Sequence, residues 1–234
     1  MKLHETIFWQ TYDSFTAINQ ACTMRSTVDA WVYYKLQTVF DFQAVLEIGF
    51  SEGQTAGLLA EVSGPDTQVW CVDPRPNMAK FQSAFAPVAH KIILIKQRSQ
   101  DIDFGRKDFI IIDGDKKYDA VKSDITKTLQ SINTSGVIAI NEWILQDVVA
   151  AIADAIDTKE WKPFLRTHQS LFFHHVSVDR SDFLDYEIKS NGADSFMRFV
   201  NHTIDHDVVL QVDSLPIFTD RLDYFDRVLR DLNL

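Results

Sequence analysis

Five apolar runs of strand length constrain the fold of this chain more than any other feature of its sequence. They are nearly continuous rather than alternating, a pattern typical of strands whose two faces are both covered. The runs are AVLEI (44–48), QVWCV (68–72), KIILI (91–95), DFIII (108–112) and GVIAI (136–140). Helical patterns lie between them, most clearly at 55–62 and 118–132. Strand–helix alternation of this kind predicts a parallel, doubly wound α/β sheet.

The two ends of this core carry further patterns. A helix is expected over 26–40, capped by Ser26, with Val28, Val32, Leu36 and Val39 on one face. After a helix at about 145–157, the segment WKPFLRTHQSLFFHHVSV predicts two strands joined by a turn near Gln169. We therefore expect a mostly parallel, seven-stranded Rossmann-like sheet that ends in an antiparallel hairpin.

Helical additions flank this predicted sheet. The expected organisation is an N-terminal helical cap at 1–40, a core at 41–178 and a C-terminal helical extension at 179–234. Helix-like patterns at 195–204 and 220–232 suit a lid, packing on the core, or the seam of a homodimer.

Composition restricts the partners and the compartment. The net charge of −10 would repel phosphate backbones, so nucleic acid is not an expected partner. No apolar stretch approaches the roughly 20 residues that cross a bilayer, and the N-terminus lacks the apolar region of a signal peptide. Cys22 and Cys71 stand far apart and outside a CxxC spacing, as expected of free thiols in a reducing cytoplasm.

Polar residues at the strand ends are the candidates for chemistry, because open α/β sheets bind ligands at the carboxyl edge of their strands. EIGFSEGQTAG follows the first strand, where Gly49 and Gly53 would allow close approach of backbone N–H groups to a ligand. An ordinary strand–helix turn is the alternative. Ser51 interrupts a GxGxxG dinucleotide fingerprint, and no Gly-Lys-Ser/Thr follows. Asp73, after the second strand, is spaced to accept hydrogen bonds from a ribose.

Two of these segments together resemble the class I S-adenosylmethionine (SAM)-dependent methyltransferases. The resemblance covers about 40–178 and is nearest to the small-molecule O-methyltransferases of catechol and macrolide-sugar type. Their Glu-x-Gly-x-x-x-Gly-x-Ser/Thr turn is matched at 47–55. Their Ile-Asp-Gly-Asp-His-x-Tyr segment is matched at 112–118, except that Lys116 replaces the His.

The resemblance implies a SAM site at the carboxyl ends of the first four predicted strands. It assigns the cofactor to Glu47, Gly49, Phe50, Ser51, Gly53, Thr55, Asp73, Ser99, Gln100 and Asp113. Glu47, Gly49 and Gly53 would surround the methionine part of SAM. Asp73 would hold the ribose, and Ser99 with Gln100 would border the adenine.

The resemblance also implies catalytic residues. Lys116 stands three residues after Asp113, as does the catalytic base after the metal-binding Asp in catechol-type enzymes. A solvated lysine in the first helical turn is the alternative. Asp113, Asn141 and Glu142 would offer hard oxygen ligands to Mg²⁺, or Asn141 and Glu142 would only shape a polar pocket floor.

The expected activity is transfer of a methyl group from SAM to a hydroxyl of a small molecule such as a sugar, a phenol or a polyketide-like acceptor. Two other functions stay open: a methyltransferase-fold binding or scaffold protein without catalysis, and a nucleotide-binding α/β enzyme.

Overall fold

The computed structural model describes residues 27–143, 145–166 and 169–178, which all belong to one compact unit. Its centre is a seven-stranded sheet with the order β3-β2-β1-β4-β5-β7-β6. The strands are β1 Ala44–Ile48, β2 Gln68–Val72, β3 Ile92–Ile95, β4 Lys107–Ile112, β5 Ile132–Asn141, β6 Trp161–Arg166 and β7 Ser170–His175. The predicted seven-stranded fold with its terminal hairpin is confirmed.

Strands β3, β2, β1, β4 and β5 are parallel to one another, and β7 runs antiparallel to both β5 and β6. Strands β2 and β3 lie on one side of β1, whereas β4 and β5 lie on the other, so the strand order reverses between β1 and β4. In doubly wound sheets this reversal opens a crevice at the carboxyl edge. The fold therefore brings the turn after β1 and the Asp113 segment after β4 to the same place.

Helices connect the strands. They are α1 Thr27–Phe40, α2 Gln54–Val62, α3 Met78–Phe85, α4 Tyr118–Ser131 and α5 Gln146–Ala155, with short 3₁₀ segments at Ala86–Lys91 and Ser99–Asp101. The central strands are buried on both faces: Phe109, Ile110 and Ile138 are fully inaccessible to solvent. That burial explains the continuous apolar runs, because neither face of these strands meets water.

Helix α1 has a different buried face from the one that the sequence predicts. Val32 and Leu36 are buried as expected, but Val39 is 46% exposed. At 100° per residue, the buried residues centre on Tyr33, which packs against Phe172 at 5.8 Å between ring centroids, so Val39 falls at the margin. Ser26 and the side chain of Val28 lie outside the described residues.

The predicted C-terminal extension at 179–234 and Cys22 also lie outside the described residues, while Cys71 is a buried free thiol. The domain boundaries after 40 and after 178 stay predictions. Within the ranges described, no helix combines the length and apolarity that a membrane span requires.

Candidate functional site

Backbone hydrogen bonds align the ends of the central strands. The Gly49 N–H donates to the carbonyl of Val72 at 2.8 Å, and the Asp113 N–H donates to the carbonyl of Ile48 at 2.8 Å. These bonds continue the ladder one residue beyond the strands. The first residues of the loops after β1 and β4 therefore lie side by side, with Asp73 at the end of β2.

The turn after β1 requires glycine for reasons internal to the protein. Gly49 has φ +97° and Gly53 has φ +75°, both in the region that residues with a Cβ rarely adopt. A Cβ on Gly49 would lie 2.6 Å from the carbonyl carbon of Asp113, and one on Gly53 would lie 2.6 Å from the Phe81 ring. The glycines thus let the turn pack against the Asp113 segment and against aromatic side chains.

Phe50 and Ser51 complete this turn in different ways. The Phe50 side chain is 2% exposed and packs edge-on against Phe81, with 5.2 Å between ring centroids. Its ring is therefore part of the core, and only its backbone is placed to meet a ligand. Ser51 is exposed and has φ +49°.

Two backbone donors orient the carboxylate of Asp73. Its Oδ2 accepts the Ser51 N–H at 2.9 Å, and its Oδ1 accepts the Arg75 N–H at 2.7 Å. Each oxygen keeps a lone pair for a further donor, and the side chain is partly exposed. A carboxylate held in this way can accept hydrogen bonds from a ligand at both oxygens.

Glu47 lies beneath the turn. It is 2% exposed, and burial followed by the nearby Asp113 raises the pKa of its carboxyl well above the usual range. Hydrogen bonds to the Thr55 side chain and to the Ala56 backbone act in the opposite direction. Glu47 and Thr55, both predicted to touch the cofactor, are thus joined in a contact that fixes the turn to the start of α2.

Ser99 and Gln100 are held by a carboxyl that the sequence analysis did not single out. Asp124 of α4 accepts a hydrogen bond from Ser99 Oγ at 2.5 Å and a longer one from Gln100 Nε2 at 3.4 Å. Asp124 is 1% exposed, and its burial raises the pKa of the carboxyl to about 6. The sequence could have indicated Asp124, because a carboxyl on the apolar stripe of α4, between Val121 and Ile125, is expected to be buried.

The Asp113 segment carries the densest group of charges at this edge. Lys116 Nζ donates to Asp113 Oδ1 at 2.6 Å and to the backbone carbonyl of Asn141 at 3.4 Å. Glu142 Oε2 lies 3.9 Å from the same nitrogen. The Lys116 side chain is 20% exposed, so most of it is shielded from solvent.

The end of β5 is shaped around this group. Asn141 Oδ1 accepts the Glu142 N–H at 2.7 Å, and Glu142 has a left-handed φ of +53°. A residue with a Cβ in this conformation costs roughly 1–2 kcal/mol relative to an extended one. In this conformation the Glu142 carboxylate lies 3.9 Å from the Lys116 ammonium.

The oxygens predicted to bind Mg²⁺ do not fit a divalent cation as they stand. Lys116 Nζ lies among Asp113, Asn141 and Glu142, and the Asn141 amide oxygen already accepts a hydrogen bond. A second cation within about 4 Å of the ammonium would be repelled. No group of three or more His, Cys, Asp or Glu suited to a metal occurs in the described part of the chain.

The side chains of the Asp-Gly-Asp-Lys-x-Tyr segment point in different directions. The Asp115 carboxylate accepts the Lys117 N–H at 3.1 Å and so closes the turn into α4. Tyr118, also part of the resemblance, turns away from the strand ends and donates its hydroxyl to Asp154 of α5. Asp113 and Lys116 are therefore the members of this segment that face the crevice side of the turn.

Comparison with known proteins agrees with this geometry. Residues 46–143 match a family model described as a methyltransferase domain. A search of characterised protein sequences gave no match. Among solved structures, the SAH-bound methyltransferase PaMTH1 of Podospora anserina is 15% identical, with a TM-score of 0.56 over 70% of this chain and 87% of that one.

Two further structures show how widely the fold is shared. The SAM-bound O-methyltransferase TomG of Streptomyces achromogenes is 16% identical, with a TM-score of 0.53 over 74% of this chain and 97% of TomG. An rRNA methylase of Streptococcus thermophilus is 14% identical, with a TM-score of 0.50 over 65% and 98%. Residues 46–143 thus match a methyltransferase-domain model, and the described core has the class I SAM-dependent methyltransferase fold.

Proposed function

We propose that this chain transfers the sulfonium methyl group of SAM to a hydroxyl oxygen of a small molecule. The observation that carries the proposal is the Lys116–Asp113 ion pair beside the glycine turn. Gly49 lies against the backbone of Asp113, so a cofactor seated on the turn would present its methyl group close to this pair. O-methyl transfer needs such a group, because the hydroxyl must lose its proton as it attacks.

Residues at the carboxyl ends of the strands bind the cofactor. The Asp73 carboxylate is oriented to accept hydrogen bonds from ribose hydroxyls, and the turn from Gly49 to Gly53 offers backbone atoms to the methionine part. Asp124 fixes Ser99 and Gln100 at the border of the adenine. Glu47 holds the turn in place from below. The structures of PaMTH1 and TomG, bound to SAH and SAM, support this choice of cofactor.

The chemical step divides between Asp113 and Lys116. The acceptor oxygen attacks the methyl carbon; the O–C bond forms while the S–C bond breaks, and the electron pair stays on sulfur. The Asp113 carboxylate receives the hydroxyl proton and passes it to solvent. The three described partners of Lys116 Nζ are all hydrogen-bond acceptors, which suits an ammonium. Lys116 is therefore assigned to stabilising the charge on the oxygen, rather than to being the base that the resemblance implies.

The acceptor class follows from charge. An rRNA methylase shares the fold, but this chain carries a net charge of −10. Nucleic-acid binding depends on neutralising phosphates with Lys and Arg. A small hydroxylated molecule is therefore the better substrate.

The test is methyl transfer from SAM carrying a labelled methyl group. Phenols, catechols, sugars and polyketide-like alcohols are the hydroxyl acceptors, while primary amines and an rRNA transcript are the competing classes. We expect label on a hydroxyl oxygen, and Asp113→Asn should lower turnover about 100-fold, the scale of a lost general base. Asp119→Asn, at an exposed position in the first turn of α4, is the matched control.

Two results would overturn the proposal. One is transfer only to nitrogen or to RNA, which would move the acceptor to another class. The other is no transfer to any hydroxyl by a folded protein that binds SAH, which would leave a binding protein without catalysis.

A further inference from the structure

The position of Lys116 leads to an inference about the metal ion. Its ammonium contacts or faces oxygens from two separate strand ends: the Asp113 carboxylate after β4, and the Asn141 carbonyl with the Glu142 carboxylate at the end of β5. Two carboxylates and a carbonyl are the hard oxygen ligands that bind Mg²⁺ or Mn²⁺ in proteins. Here the cation among them is part of the chain.

We infer that the Lys116 ammonium fills a divalent-cation position, so this protein carries its cation covalently and binds no metal ion there. The backbone supports this inference independently of the distances. Glu142 is held at φ +53°, and Asn141 Oδ1 fixes its N–H at 2.7 Å. Strained conformations of this kind persist where the surrounding structure enforces them. In this conformation the Glu142 carboxylate lies 3.9 Å from the ammonium that Asp113 contacts at 2.6 Å.

The charges around Lys116 also disfavour a metal ion. Two carboxylates and one ammonium leave one net negative charge, to which an acceptor hydroxyl can donate a hydrogen bond. A divalent cation added to the ammonium would meet repulsion from a unit charge within about 4 Å. Removing the Lys116 charge should therefore convert the site from one that excludes a divalent cation to one that binds it.

The consequence for catalysis rests on the proposed function, but the metal-site assignment does not. If the protein transfers a methyl group to oxygen, a tethered ammonium stabilises the oxygen that attacks, and turnover needs no added metal. The experiment is therefore built on metal binding alone, without SAM or an acceptor.

Mn²⁺ binding is measured by electron paramagnetic resonance, in which the signal of free Mn²⁺ falls as the ion is bound. The proteins are the full chain, Lys116→Ala, Lys116→Met, and Lys117→Ala as the control. Lys117 is the exposed neighbour and has no part in the group. Lys116→Met keeps most of the side-chain volume, so it serves if the alanine variant does not fold. Asp113→Asn is made both alone and together with Lys116→Ala, and shows whether any bound Mn²⁺ uses Asp113.

We expect the unaltered chain and Lys117→Ala to bind Mn²⁺ at least tenfold more weakly than Lys116→Ala. The added Asp113→Asn change should abolish that gain. Mn²⁺ binding to the unaltered chain that Asp113→Asn abolishes would overturn the inference, because the ammonium would then not exclude the metal. An absence of Mn²⁺ binding in both Lys116 variants, each shown to be folded by circular dichroism, would also overturn it, because these oxygens would then not form a cation site.

Discussion

Asp124 gives a prediction whose size follows from the structure. The carboxyl is 1% exposed, and burial is the largest cause that raises its pKa from 3.8 to about 6. Each unit of pKa difference between folded and unfolded chains corresponds to about 1.4 kcal/mol. Ionised Asp124 should therefore lower the free energy of unfolding by about 3 kcal/mol at neutral pH.

The sign and the pH window follow from proton binding. Between about pH 4 and about pH 6, the folded protein holds this proton while the unfolded chain releases it. The stabilisation that this proton confers is complete below the unfolded pKa and is lost as pH rises through about 6. Asp124→Asn keeps an acceptor for the Ser99 hydroxyl and never ionises. We therefore expect the variant to be about 3 kcal/mol more stable at pH 7.5, and only about 1 kcal/mol more stable at pH 4.5.

The assay is urea unfolding of both proteins at the two pH values. Protein is kept at micromolar concentration because the isoelectric point is near 5.1. Asp119→Asn, on an exposed position of the same helix, is the control and should be within about 0.5 kcal/mol of the parent at both pH values. A gain for Asp124→Asn that is equal at pH 4.5 and pH 7.5, or a loss at pH 7.5, would refute the reasoning.

Three further predictions concern the turn and its neighbours. Gly53→Ala should lower the free energy of unfolding by about 2–4 kcal/mol, measured by urea unfolding, because the added Cβ strains a positive φ and meets two aromatic rings; an unchanged midpoint would contradict this. Glu47→Gln should keep SAH binding within about threefold. Glu47→Ala should lose at least about 2 kcal/mol of stability, because it leaves the partners at Thr55 and Ala56 unpaired. Equal stabilities of Glu47→Ala and the parent would count against the positioning role. Glu142→Gly should fold normally, because glycine accepts its left-handed φ, and should bind SAH as the parent does; a lower melting temperature than that of Glu142→Gln would show the strain argument to be wrong.

The sheet could be predicted from the sequence because its signals are local. The five continuous apolar runs correspond to β1 to β5, and the hairpin to β6 and β7. Boundaries were less well predicted: β5 spans Ile132–Asn141 rather than 136–140. Helix α3 was not predicted, because its eight residues, MAKFQSAF, are too few for a clear helical period, although Phe81 and Phe85 are buried.

The site residues, too, were predicted where local sequence indicates them and missed where contacts between distant segments decide. Strand ends and spacing alone pointed to Gly49, Asp73 and Asp113, whose positions depend on strand order. What the sequence did not show depends on contacts between distant segments. Ser99 meets Asp124 across 25 positions, and Lys116 meets the end of β5 across another 25. Such contacts depend on side-chain directions in the folded sheet, which no local pattern encodes.

The central claim is that the turn after β1 and the Asp73 carboxylate form a SAM pocket. Calorimetric titration with S-adenosylhomocysteine in EDTA tests it most directly, using the parent, Asp73→Ala and, as control, Asp66→Ala in the exposed loop before β2. We predict micromolar binding by the parent and by Asp66→Ala, and binding at least tenfold weaker by Asp73→Ala. No binding by the folded parent, or equal binding by all three, would contradict the account.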